Sequence, residues 1–233
     1  VGWKALCRPL SDIAAMGGVP QQALITFFSP PDLDAEYWKK FYRGLGKAAR
    51  QFGVTIAGGE MSRQQSGIAV SITLTGIVPE KQLLQRSGGR PGDQLFITGR
   101  LGGSIAGHHL DFVPRLAEGR WLAETFRPSA MMDISDGLGA DLPWLARASG
   151  CGFTVNLADI PCRRGSSIDQ ALSDGEDYEL LFSLSPKKAI GISERWADVF
   201  PKTPLTCIGS LNRSQDPPSG WPGGWDHFKE FDT

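Results

Sequence analysis

Carboxylates crowd two short stretches of this chain, Asp133-Ile134-Ser135-Asp136-Gly137 and Asp174-Gly175-Glu176-Asp177-Tyr178-Glu179, and both sit against apolar neighbours. The first follows Ala130-Met131-Met132, so a buried element ends abruptly in charge. Carboxylates placed there are costly unless cations neutralise them. Hard divalent cations take oxygen ligands, and Mg²⁺ commonly joins one or two carboxylates to a substrate's phosphates. One reading is therefore a Mg²⁺–nucleotide site assembled from separate loops. The other is a plain helix start with Asp136 as its cap, and taken alone the first stretch favours the cap.

Other segments carry weaker signals. Ala57-Gly58-Gly59-Glu60 ends a strand in two glycines and a carboxylate, where a ligand can approach the backbone closely. An isolated Gly-Gly-Glu is more often an ordinary turn. Thr98-Gly99-Arg100-Leu101-Gly102-Gly103-Ser104 is neither a Walker A loop nor a dinucleotide fingerprint, and reads as a strand-to-helix turn. His108, His109, His227 and the four cysteines lack the spacing of a catalytic triad or a zinc site.

The elements that position these residues alternate with clear punctuation. Leu6, Leu10, Ile13 and Met16 mark a helix stopped by Gly17-Gly18, and Ala23 to Phe28 is an apolar strand. Asp34 caps a helix with the stripe Trp38, Phe41, Leu45, Ala48 and Phe52, and Gly53 ends it. The chain turns at Gly58-Gly59, then Ile68 to Val78 alternates as one long half-buried strand. Pro79 to Gly92 is a boundary by composition. Beyond it come strands at 94–98, 153–155, 179–184 and 206–208. Helices are expected at 101–110, 142–148 and 186–199. This mixture lacks regular parallel units, so the fold class is α+β.

With 24 basic against 25 acidic residues, the net charge of −1 leaves no electrostatic footprint for nucleic acid or an anionic membrane. No apolar run is long enough to span a bilayer, and the cysteine spacing suits reduced thiols in a cytoplasm. The chain opens at Val1 directly in helix-like sequence and reads as a fragment.

Five segments occur in one order: Leu10-Ser11-Asp12-Ile13-Ala14-Ala15-Met16-Gly17-Gly18, Ala57-Gly58-Gly59-Glu60, Arg86-Ser87-Gly88-Gly89-Arg90-Pro91-Gly92-Asp93, Asp133-Ile134-Ser135-Asp136-Gly137-Leu138, and Gly175-Glu176-Asp177-Tyr178-Glu179-Leu180-Leu181-Phe182. Together with Gly224-Trp225-Asp226-His227-Phe228, they resemble the thiamine-monophosphate kinases, of the aminoimidazole-ribonucleotide-synthetase-like superfamily. The resemblance implies a two-domain α+β subunit. Residues 1–82 would be an ATP-binding domain that forms a barrel across a homodimer, and residues 83–233 an α/β sandwich-like domain. It implies direct phosphoryl transfer from ATP to thiamine monophosphate, assisted by several Mg²⁺ ions. Such transfer needs positioning and charge neutralisation more than a covalent side-chain partner.

Carried over by the resemblance, Asp133, Asp136 and Glu60 are metal ligands. Tyr42, Gly59, Glu60, Arg86 and Ser135 contact ATP, and Glu176 and Trp225 hold thiamine monophosphate; simple packing is an equal alternative for Tyr42 and Trp225. Three departures stand out. Glu60, Met61 and Ser62 replace the family's Asp and Thr residues. Asp174 replaces a glycine. The family's N-terminal segment, with its Gly-Asp-Asp element and further metal-binding acids, is absent, so this stretch alone is expected to associate improperly. Rival readings are another ATP-dependent synthetase of the superfamily and a noncatalytic nucleotide-binding relative.

Overall fold

The computed structural model describes residues 1–225. In chain order its elements are α1 (Gly2–Ala15), β1 (Val19–Ser29), α2 (Ala35–Phe52), β2 (Thr55–Arg63), β3 (Ala69–Ile77), β4 (Gln94–Thr98), α3 (His108–Asp111), α4 (Leu116–Thr125), β5 (Ala130–Asp133), α5 (Leu138–Ala148), β6 (Gly152–Val155), α6 (Ile168–Ser173), β7 (Leu180–Leu184), α7 (Pro186–Ala189), α8 (Ile192–Val199) and β8 (Leu205–Asn212). The strands form a three-stranded mixed sheet, β2-β1-β3, and a five-stranded antiparallel sheet, β5-β7-β4-β8-β6.

Alternation along each strand builds the layers. Ala23, Ile25 and Phe27 of β1 turn to one side, where Leu6 and Leu10 of α1 and Phe41, Leu45 and Ala48 of α2 cover them. Leu24, between them, is exposed. In the five-stranded sheet, Leu95 and Ile97 of β4 pack with Leu142 and Leu145 of α5. Phe96 faces the other way, with Leu122 of α4, Trp196 of α8 and Ala14 and Ala15 of α1. The second sheet thus lies between two helical layers, as the α/β sandwich expectation required. α1 belongs to the core of the first sheet and to one layer of the second, so it ties the two sheets together.

Local chemistry explains the boundaries. The Asp34 side chain accepts from the Glu36 amide, and Gly53 closes α2 in the left-handed conformation at φ 69°. Several expectations are corrected. Gly58 and Gly59 form no turn, because β2 continues through them after a register shift at Ala57. Gly59 lies so close to β1 that a Cβ there would fall 1.8 Å from the Ile25 carbonyl oxygen. No continuous helix spans 101–110; Gly107, at φ 138°, leaves only the single turn α3 after a short 3₁₀ turn. The helix expected at 186–199 splits into α7 and α8 where Gly191 adopts φ 73°. Met16, assigned to a helix stripe, is exposed beyond the end of α1. α4 and α6 were not foreseen. No helix among the described residues is long and apolar enough to cross a membrane.

Candidate active site

Asp133 is the last residue of β5, and its carboxylate is 8 % exposed. The Ser11 hydroxyl, on α1, donates to it at 2.6 Å. Burial pushes the Asp133 carboxyl up to about 6, against that bond, and the charges of Asp12 and Asp136 push the same way. Asp12 follows Ser11 on α1, so the docking of α1 on the second sheet brings a third carboxylate beside the β5 terminus. Partial burial raises the Asp12 carboxyl, and Arg8 and Arg86 pull it back.

Asp136 is not the cap of α5. The N-cap is Gly137, at φ 90° and with no side-chain capping bond. Instead Asp141, within α5, reaches back and accepts the amides of Ser135 and Asp136, both at 2.9 Å. Its own carboxyl is pushed up to about 8, chiefly by burial. The Asp-Ile-Ser-Asp-Gly loop is therefore held by a carboxylate inside the helix, which frees Asp136 from the capping role.

The second acidic stretch leads into β7. Glu176 and Tyr178 take left-handed backbone conformations at φ 56° and φ 53°, unusual for residues with a Cβ. Two backbone bonds fix this geometry, Glu176 N–H to the Ser135 carbonyl at 2.7 Å and Tyr178 N–H to the Ile134 carbonyl at 2.8 Å. The glycine-rich loop after β4 braces it from behind. Gly102 N–H donates to both Asp177 oxygens at 3.1 and 3.2 Å, and Gly103 N–H to Asp174 at 2.8 Å. Arg163 pairs with Asp177, and the Ser104 hydroxyl donates to the Gly175 carbonyl. Glu179 is gripped by Arg115 at 2.6 and 2.5 Å and by the Thr98 hydroxyl at 2.8 Å. The reading of 98–104 as a mere turn missed this cradle. Only the fold shows what its amides meet.

The expected site residues gather in three hollows. Ser135, Asp136, Glu176 and Trp225 line one of about 270 Å³ together with Arg8, Asp174 and Tyr178. Trp225 is placed there by its N–H bond to the Asp136 carbonyl at 2.7 Å. Arg86 shares a hollow of about 260 Å³ with Asp12 and Asp133. Tyr42, Gly59 and Glu60 lie in a third, of about 210 Å³, between α2 and β2. Among the described residues no three His, Cys, Asp or Glu side chains converge as a metal cage, so Glu60 does not join Asp133 and Asp136 in one cluster. Asp12 and Arg8 line these hollows without having been assigned a role in the sequence reading, although Asp12 lay within a quoted motif. In Gly224-Trp225-Asp226-His227-Phe228, residues 226–228 lie outside the described residues.

Two family profiles match: AIR synthase related protein, N-terminal domain, over residues 1–78, and its C-terminal domain over residues 82–199. The thiamine-monophosphate kinase of Rhodopirellula baltica is 36% identical over 222 residues, spanning 91% of this chain and 68% of that protein. The same-named protein of Aquifex aeolicus is 34% identical over 261 residues, spanning 98% and 81%. A solved complex of AaThiL with AMPPCP and TMP superposes with a TM-score of 0.79 at 30% identity, covering 98% of this chain and 80% of that one. The chain belongs to the thiamine-monophosphate kinase family of AIR synthase related proteins.

Proposed function

We propose that this protein transfers the γ-phosphoryl group of ATP directly to thiamine monophosphate, giving thiamine diphosphate and ADP. The observation that carries the reading is the convergence of Ser135, Asp136, Glu176 and Trp225 on one hollow, with Asp133 and Asp12 three residues and one helix away. A family member solved with AMPPCP and TMP supports it.

The donor set fits Mg²⁺. Asp12 and Asp136 each act on Asp133 at the end of a buried strand, Asp133 and Asp136 offer the one or two carboxylates that Mg²⁺ commonly takes, and oxygen-only ligands suit a hard cation. Asp133 and Asp136 would hold it, with Asp12 beside them and Glu60 facing the nucleotide from the third hollow. When bound, Mg²⁺ supplies charge neutralisation for the phosphates and a template for in-line approach. The chain's own residues do the rest. Arg86 faces the nucleotide phosphates with its planar donors, Ser135 and Gly59 approach the nucleotide, and Tyr42 packs on it. Glu176 and Trp225 hold the cationic heterocycle of the acceptor, by charge and by an indole face. In this structure Glu176 pairs with Lys4, so the acceptor's positive ring would take over a cation's place.

The division into residues 1–82 and 83–233, a barrel shared by two copies across the first sheet, and a cytoplasmic setting suited to the four free cysteines belong to the same reading. Glu176→Gln tests the acceptor assignment. Turnover measured across thiamine monophosphate, selenide and formylglycinamidine ribonucleotide should select the first. The variant should raise its KM about tenfold while leaving the KM of ATP within about twofold. Activity with another acceptor, or an equal rise in both KM values, would contradict the assignment.

A further inference from the structure

Two arginines act on Asp12, and they come from different cavities. Arg86 lines the hollow that holds Asp12 and Asp133. Arg8 lies one helical turn before Asp12 on α1 and lines the hollow of Asp136, Glu176 and Trp225. It is the one basic side chain among the described residues lining that hollow, where three carboxylates also face in. Arg8 also borders a larger cleft of about 640 Å³, so it stands between the two. Tyr178 lines the same hollow as Arg8. That ring is 3 % exposed and stacked on Phe112 at 4.0 Å, so it forms a fixed wall of the hollow.

Phosphoryl transfer between two phosphates brings two anions together, and each needs a cationic partner on its own side. Arg86 already has the side of the β5 acids. We propose that Arg8 grips the phosphate of the acceptor, so that the acceptor hollow reads both ends of its ligand: Glu176 and Trp225 at the cationic ring, Arg8 at the phosphate. The inference rests on the kinase reading above and deepens it. A guanidinium suits the role because it presents paired donors to phosphate oxygens and never loses its charge.

Arg8 is exposed, so Arg8→Met leaves the core intact, and a thermal melt confirms folding. Binding of thiamine monophosphate and of thiamine is measured by calorimetry for wild type, Arg8→Met and Arg8→Lys, alongside the KM of each substrate. Arg8→Met should weaken thiamine monophosphate at least tenfold, with thiamine and the KM of ATP changed less than about twofold. Arg8→Lys should recover part of the loss. Equal weakening of thiamine and its monophosphate, a raised KM for ATP, or no change in an active enzyme would each overturn the role of Arg8 alone. A wild-type protein that binds no thiamine monophosphate would overturn the kinase reading and this proposal with it.

Discussion

Asp177 shows how a single carboxylate can serve a site without entering it. It is 1 % exposed, and burial pushes its carboxyl up to about 6 against the charge of Arg163 and the Gly102 amide. An unburied aspartate titrates at 3.8, so the folded state binds this proton more tightly than the unfolded state does. The stability it contributes is full below about pH 4 and is lost as pH rises through 6. The stability of wild type minus that of Asp177→Asn should therefore fall by roughly 2–3 kcal/mol between pH 4 and pH 7, measured by denaturant unfolding at each pH. A difference that grows with pH would contradict the assignment. At this scale Asp133, Asp136 and Glu176 were singled out as candidates, because carboxylates against apolar runs demand a partner and the order of the motifs matched a family. Asp12, Arg8 and Asp177 were not, since their meaning depends on what α1 and the 98–104 loop pack against.

Elements were legible where local chemistry decides them, and obscure where contacts across the fold do. The Asp34 cap, the α2 stripe and the Gly53 terminus were all readable, as was β4. Apolar content alone does not stop a helix at Gly191 or Gly107, so 101–110 and 186–199 looked continuous. The continuation of β2 through Gly58-Gly59 is set by its pairing with β1, which leaves no room for a Cβ at Gly59. That sheet has one face covered by α1 and α2, while Leu24 and Met61 stand 52% and 59% exposed. An uncovered apolar sheet face invites association, and the proposed barrel would cover it with a second copy. Light scattering should give the mass of two chains, and Leu24→Glu should shift it towards one. A wild-type monomer would count against the shared barrel. Higher, heterogeneous mass would count against it as well.

For the molecule as a whole, the site exists because one helix serves two sheets. α1 carries Lys4, Arg8, Ser11 and Asp12 along its length while its other residues fill the core of the first sheet and one layer of the second. The α+β class and the family were legible from the order of the acidic and glycine motifs. The three-way meeting of α1, the β5 terminus and the Glu176 loop was not, because it is built from contacts between distant segments. The central claim is that the acids at that meeting serve phosphoryl transfer rather than helix capping. It is tested most directly by thiamine diphosphate formation from thiamine monophosphate and ATP with Mg²⁺, comparing wild type with Asp136→Asn in the full-length protein. Wild type should turn over. Asp136→Asn should lose at least about a hundredfold in kcat, with a melting temperature close to wild type because Gly137 is the cap. Full turnover in Asp136→Asn with a lowered melting temperature, near the ~1 kcal/mol of a lost cap, would contradict it.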